Sequence, residues 1–431
     1  MAIFKLGDRL AFLINRLGEI LWIKPMLICL LSVAGVFSAR LADRTRLREI
    51  VPEISVDSLD ALLTIMASSM LVIATFAVAS MVSSYASASE TATPRTFDLV
   101  IADDVSQNAM STFVGAFIFS IVALIAMKNS LYEEAGIFTL FLFTIAVFSA
   151  VIITFLRWVD SIARLGRIGS TIDKVESATT RAMNKRRRLT LLERETLPES
   201  DQPGIQIKSE KIGYVQHVDL ESLQQCAEAL DAQIWVESMP GAFTGPGTVL
   251  ARVVPSGKAE PLEHAEQLAD AFLIDDKRIY DEDPRFGLIV LSEIASRALS
   301  AAINDSGTAI DVIGTLVRLL DHWDNSKTET IEQETKIDRV FVPPISMADM
   351  FDDTFNALVR DGAASVAVML RLLKGLQTLA DSGSPEMREA AMHQARQAVG
   401  RSKLAMSFGA DLDRVRHAAA FAFEDSNDFQ T

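Results

Sequence analysis

Three sets of residues in this chain have types and spacings that chemistry could use, and each has a plainer structural use beside it. In Arg297-Ala-Leu-Ser-Ala-Ala-Ile-Asn-Asp-Ser-Gly-Thr-Ala309, the side chains of Asn304, Asp305 and Thr308 could face a ligand, an ion or a neighbouring subunit. The same residues suit the end of one helix and the cap of the next. One carboxylate without a second convergent acid is too little for a metal ion. Asp283, followed by Pro284-Arg-Phe-Gly, has the same double meaning, because Asp at a helix N-cap accepts from exposed amides and Pro at the first position loses no hydrogen bond. The second set is a series of hydroxyls in an apolar stretch. Advancing 100° per residue puts Thr64, Ser68 and Thr75 on one helical stripe and Ser69, Ser80, Ser83, Ser84 and Ser87 on another. Such stripes let helices pack closely or line a partly wet pathway. The third is Arg95, in the polar segment that runs from Glu90 to Asp104. It could anchor beside the membrane, couple the membrane and soluble parts, hold a lipid phosphate, or sit at an anion entrance.

Other chemistry finds no support. His217, His264, His322, His393 and His417 are scattered without ligand spacing, so neither a zinc site nor a histidine-based triad is indicated. No glycine loop that could cradle a phosphate appears. The expectation is no catalytic residue, no metal and no cofactor. A net charge of −15, with acidic runs such as Asp281-Glu282-Asp283 and Asp352-Asp353, disfavours nucleic acid. Cys29 and Cys226 lie in regions too different to pair, which suits a reducing cytoplasm.

The elements that must position these residues divide the chain in two. Long apolar runs occur only before about residue 160, and four of them reach the roughly 20 residues that a membrane crossing needs. They are 20–38, 59–83, 111–128 and 136–158, within a transmembrane domain of 20–158. The first is interrupted by Lys24-Pro25, and Val36-Phe37-Ser38 could pass for a signal-peptidase site; a cleaved signal is the rival reading. Residues 1–19, with Phe12, Leu13 and Ile14, look instead like an interfacial helix. With the N-terminus inside, the inner side collects Lys5, Arg9, Arg16, Lys24, Arg95, Arg157, Arg164, Arg167 and Lys174. The outer side collects Arg40, Arg44, Arg46, Arg48 and Lys128, partly offset by Asp43, Glu49, Glu53 and Asp57. Both termini are therefore expected in the cytoplasm. No span carries a central Asp, Glu, Arg or His, which weighs against a proton-coupled transporter.

Beyond the spans, 159–196 reads as a long connecting helix whose apolar positions include Val159, Ile162, Ile168, Ile172 and Val175. Leu197-Pro-Glu-Ser-Asp-Gln-Pro-Gly204 breaks it. Residues 204–256 form a small β module with one helix, Leu220 to Asp231. Within it, Pro240-Gly-Ala-Phe-Thr-Gly-Pro-Gly247 resembles the hairpin of barrel-sandwich modules related to lipoyl and biotinyl carriers, without the carrier lysine. Residues 257–431 read as a helical domain, with helices at 346–380 and 385–424 closing a bundle. The fold class is thus an α-helical membrane protein of four transmembrane helices, carrying an α+β cytoplasmic domain made of a barrel-sandwich-like module and a helical bundle.

Several phrases in order carry a resemblance. They are Thr93-Pro94-Arg95, Thr112-Phe113-Val114-Gly115, Gly213-Tyr214-Val215-Gln216, Asp283-Pro284-Arg285-Phe286-Gly287, and Arg297-Ala298-Leu299-Ser300 with Ile303-Asn304-Asp305. Over nearly its full length the chain resembles the bacterial predicted membrane protein family known as domain of unknown function 2254. The resemblance implies a bacterial inner-membrane protein and brings no established activity. The chain departs from that family at Val159-Asp160, where histidines are frequent, and at Ser306, where Pro is usual; a function of those histidines would be absent here.

The expected partners are the lipid bilayer, further copies of the same chain, and an ion or small ligand. The most economical activity is a channel-like conductance with a cytoplasmic regulatory domain. The competing class is a membrane-anchored scaffold or sensor whose cytoplasmic domain binds a partner or small ligand, and an enzyme acting on lipid comes third.

Overall fold

The computed structural model describes residues 23–44, 52, 54–91, 93–97, 99, 104–162, 167–189, 192–193, 204–255, 268–325 and 337–423. The interfacial helix expected at 1–19 lies outside them. The chain divides into two compact units, Met1–Thr171 and Ile172–Thr431.

The described residues of the first unit form four long helices: α1 (Ile23–Ala42), α2 (Val56–Thr91), α3 (Asp104–Lys128) and α4 (Glu134–Ile162). Each is long and apolar enough to cross a membrane. The third helix is the central one, packing against α1, α2 and α4. Its glycine explains part of this, because a Cβ on Gly115 would come within 2.4 Å of Ile28 Cγ2 and push α1 away. Two apolar clusters fill the unit. One gathers Val36, Leu59, Leu63, Phe119 and Leu140. The other gathers Met66, Met70, Phe113, Val151 and Trp158. Phe76 and Phe113 meet the Trp158 ring edge-on, with centroids 6.0 and 5.8 Å away.

The second unit is mixed. Helix α5 (Ile168–Arg187) starts four residues before the boundary, and the rest of it belongs to the second unit. Arg167 is already outside helical structure, so among the described residues the segment after the fourth span is not one continuous helix. Strands β1 (Ile205–Lys208), β2 (Gly213–Val218), β3 (Ala232–Val236), β4 (Phe243–Thr244), β5 (Val249–Pro255), β6 (Phe272–Asp275) and β7 (Val340–Phe341) form two sheets, with α6 (Leu220–Ala229) between β2 and β3. Their orders are β1-β5-β3-β7 and β4-β2-β6. Among the described strands the pairings are antiparallel except β3–β7, beside which Glu193 and Val342 form an isolated parallel bridge. That parallel edge pairs Ile234 with Val340, so the sheet draws a strand from well beyond the β-rich stretch of the sequence. Ile207, Val215, Leu223, Ile234, Val253 and Val340 are buried in the common core.

The remaining helices are α7 (Pro284–Ala298), α8 (Ser306–Asn325), α9 (Met347–Gly362), α10 (Val366–Ser382), α11 (Pro385–Ala405) and α12 (Gly409–Ala418). The apolar stretch at 346–380 is thus two helices rather than one. Gly362 allows the turn, since a Cβ there would meet Val368 Cγ1 at 2.9 Å, and Ser365 stands at the N-cap of α10. The stretch from 385 onward likewise breaks after Ala405, before α12.

Candidate functional sites

In the membrane unit, α2 buries Leu63, Met66, Met70, Ala74, Ala77 and Met81. Ser69, Ser80 and Ser84 are half-buried at the flank of this face, Ser83 is exposed, and the side chain of Ser87 lies outside the described residues. The other stripe faces outward: Thr64, Ser68 and Thr75 are exposed, in line with Ala61, Ala79 and Ala86. Larger exposed side chains border this line at Ile65 and Phe76 and interrupt it at Leu71, Val72 and Val82. The hydroxyls are satisfied within the helix, with Ser68 donating to the Thr64 carbonyl at 2.9 Å, Ser69 to Ile65 at 2.5 Å and Thr75 to Leu71 at 2.9 Å. Arg95 lies exposed in a short 3-10 turn, Pro94–Thr96, beside the buried Thr96.

Asp43 does more than offset nearby arginines. Its carboxylate accepts from Glu133 N at 3.1 Å and Gly136 N at 2.6 Å, capping α4 from the far end of α1. A Cβ on Gly136 would sit 2.5 Å from Asp43 Oδ2, so only glycine admits this approach. Beside it the Tyr132 hydroxyl donates to the Val36 carbonyl at 2.8 Å. Burial, then the charge of Asp43, pushes that phenol up to about 12.

In the second unit Asp283 caps α7, accepting from Phe286 N at 3.1 Å. It is 3% exposed, and Arg278 reaches it through Nη2 at 2.7 Å and Nε at 2.8 Å. Burial raises its carboxyl above the usual range, and the Arg278 charge pulls back against that. Gly241, at φ +94°, passes over this carboxylate where a Cβ would come within 2.3 Å of Oδ2. The neighbouring Glu282 takes His217 Nδ1 and Lys185 Nζ on one oxygen, both at 2.7 Å. Burial raises its carboxyl, but the hydrogen bond and charge of His217, with those of Lys185, outweigh it and leave the net shift downward. Arg285 pairs with Asp353 at 2.5 Å and Asp349 at 3.0 Å, tying α7 to α9. Asp283-Pro-Arg-Phe-Gly is therefore a junction between the β layer and the helices.

Asn304, Asp305 and Thr308 assemble a helix junction. Asn304 is exposed and sits at φ +51°, a left-handed conformation that Asn tolerates, as the chain turns from α7 to α8. Asp305 accepts from Thr308 N at 3.1 Å and from its hydroxyl at 2.6 Å. These bonds lower its carboxyl below the usual range. Asp283 and Asp305 thus serve different helices.

A cavity of about 440 Å³ lies between the start of α9 and α11. Asp352, Glu386, Glu389, His393 and Gln394 supply its polar lining, and Met347 and Phe351 part of its apolar wall. None of these residues stood out as a site in the sequence. The signal present was Glu386, Glu389, His393 and Arg396, spaced so that they share one face of α11. Among the described residues no three His, Cys, Asp or Glu side chains are grouped so as to hold a metal ion.

Four long apolar helices joined to a mixed α/β part define a multi-span membrane protein. The family model described as a predicted membrane protein, DUF2254, matches residues 19–378, and the chain belongs to that family. No curated protein and no solved structure matches it.

Proposed function

We propose that this chain is a homo-oligomeric protein of the bacterial inner membrane, with both termini and the α/β part in the cytoplasm. In this reading the second span of each copy packs against that of its neighbours around a conductance path. The observation that carries it is the outward line of Ala61, Thr64, Ser68, Thr75, Ala79 and Ala86 on α2. Small and hydroxyl residues recurring at three- and four-residue steps, with Leu71, Val72 and Val82 between them, suit helix contact in a bilayer. Hydroxyl oxygens that already donate within the helix keep lone pairs for a neighbouring helix or for water. Arg95 would stand at the inner mouth as a charge selector. The β layer, whose Pro240–Gly247 segment carries β4 to the edge of the second sheet, would act as a barrel-sandwich-like adaptor.

The test is to measure the mass of the purified protein in detergent and ion flux in liposomes. The reading expects a symmetric oligomer, subunit dissociation when Ser68 and Thr75 are both changed to Leu, and flux altered by Arg95→Glu. A monomer, or an oligomer whose flux is nil, sinks it. The cavity between α9 and α11 favours a second reading, a membrane-anchored sensor, in which the spans anchor and the cytoplasmic part binds a small ligand.

A further inference from the structure

The helical bundle of the second unit has two unlike ends. Helices α7, α9 and α11 finish together at one of them. There the Ser296 hydroxyl of α7 donates to Asp361 of α9, Asp361 lies within reach of the Arg401 charge on α11, and a Cβ on Gly362 would meet Leu299 Cδ1 at 3.4 Å. Three loops therefore project side by side, 299–305, 363–365 and 406–408. Asp305 is the only charged residue in them, and its amide closes the first loop on the Ala298 carbonyl at 2.8 Å. Leu404 beside them is 90% exposed, the highest value of any large apolar side chain among the described residues, with Phe408 at 65% and Ile303 at 46%. Ala301, Ala302 and Ala405 are exposed around these three. Turn formation does not call for such residues: Phe408 stands at the N-cap of α12, where an acceptor side chain would stabilise the helix, and supplies none. The opposite end, where α8 and α10 finish and α9 and α11 start, is acidic, with Asp321, Asp324, Asp349, Asp352, Asp381 and Glu386.

We propose that the apolar end is a membrane-contact surface, on which Ile303, Leu404 and Phe408 enter the boundary between headgroups and acyl chains of an anionic bilayer. Charge selects this partner. Arg297, Arg360 and Lys403 occupy the last turns of α7, α9 and α11, with Arg401 close behind, where lipid phosphates would lie once the loops are immersed. Asp361 offsets one of these charges, through Arg360 Nε at 2.7 Å, and the acids that start α12, Asp411 and Asp413, face Arg414 and Arg416 on their own helix. The acidic end would be repelled by the same lipids. Shape selects it as well, because a protein partner must match each projecting side chain with a packed recess, whereas a bilayer is fluid and takes apolar points without one. The bilayer is also always at hand: the same chain carries four helices long and apolar enough to cross it, which raises its effective concentration at this surface.

Electron spin resonance of a nitroxide attached through Ser407→Cys tests the proposal in the full-length chain, with Cys29 and Cys226 replaced by Ala, in nanodiscs containing phosphatidylglycerol. A nitroxide attached through Glu386→Cys at the acidic end, in a separate sample, is the reference. The expected result is that lipid-soluble oxygen relaxes the label at position 407 more strongly than a water-soluble nickel chelate does, with the opposite order at position 386. The double variant Leu404→Glu, Phe408→Glu should reverse the order at position 407 while melting where the parent does, since both substituted side chains are exposed. A label at 407 that reports water in the parent, or an order that the double variant leaves unchanged, overturns the proposal. So does a label shielded from both oxygen and nickel and broadened by a second label, which would make this end a contact between copies of the chain.

Discussion

Both units have hydroxyls bonded within their own helix, but they differ in how many polar side chains reach across elements. In the four-helix unit Ser68, Ser69, Thr75, Ser111, Ser120 and Thr144 each donate to a carbonyl four residues back in their own helix. In the second unit Glu282 reaches His217 and Lys185, Arg285 reaches Asp353, and Arg318 reaches Glu176, all across elements distant in sequence. The difference follows from the surroundings. A helix in hydrocarbon must satisfy its groups internally, whereas a domain in water can exchange hydration for cross-links between elements. Polar groups in the first unit therefore say little about which helices meet, while those in the second fix the meeting points. Asp43, Tyr132 and the pair of Lys128 with Asp60 are exceptions, cross-links in the first unit near helix ends.

The contrast can be broken or sharpened by substitution. The largest effect is expected where two helices of the second unit meet at a glycine, since a Cβ on Gly287 would lie 1.8 Å from Thr179 Oγ1. Gly287→Val should lower unfolding stability by about 3 kcal/mol. Adding Thr179→Ala should recover part of this, and a double-mutant cycle reads the coupling. Next comes Asp283→Ala, which strips both Arg278 and the Phe286 amide of an acceptor and should cost about 2 kcal/mol in denaturant unfolding.

Asp43→Ala should cost about 1 kcal/mol, the ordinary value of a helix cap, with Asp43→Ser restoring most of it. Thermal unfolding in nanodiscs would measure it; a loss as large as that at Asp283 would show that the membrane unit also depends on cross-links. Glu282 predicts a pH effect. Its folded pKa is lowered, so its contribution is complete above the unfolded value of about 4.3 and is lost as pH falls through the folded one. Glu282→Gln should therefore flatten the acid side of a melting-temperature profile, and an unchanged acid slope would contradict the ion-pair assignment. Smallest of all should be Ser120→Ala in the core of α3, a few tenths of a kcal/mol by the same melting assay, because its hydroxyl bond is local.

Much of the layout was legible in the sequence because it rests on local rules. Apolar length alone locates the four spans, and β1, β2, β3 and β5 fall on the short β-rich runs. Asp283 and Asp305 were readable as caps since a cap needs only its next three residues. What escaped depends on tertiary pairing. Periodicity separated the two hydroxyl stripes of α2 but could not say which one faces the other helices, because that depends on α3 being central. Asp43 and Gly136 meet only when the helices are packed. The cavity requires α9 and α11 to lie side by side, and β7 is two residues long, too short to carry a pattern.

That short strand has a consequence for the order in which the protein is made. All four spans leave the ribosome before any strand, and β3 emerges long before Val340 and Phe341, its neighbours in the finished sheet. Until α7 and α8 have been synthesised, the β3 edge is an open template carrying unpaired amides and carbonyls. Completion of the sheet is thus a late event in biosynthesis, and a chain truncated before residue 340 would leave the ribosome with that edge uncovered.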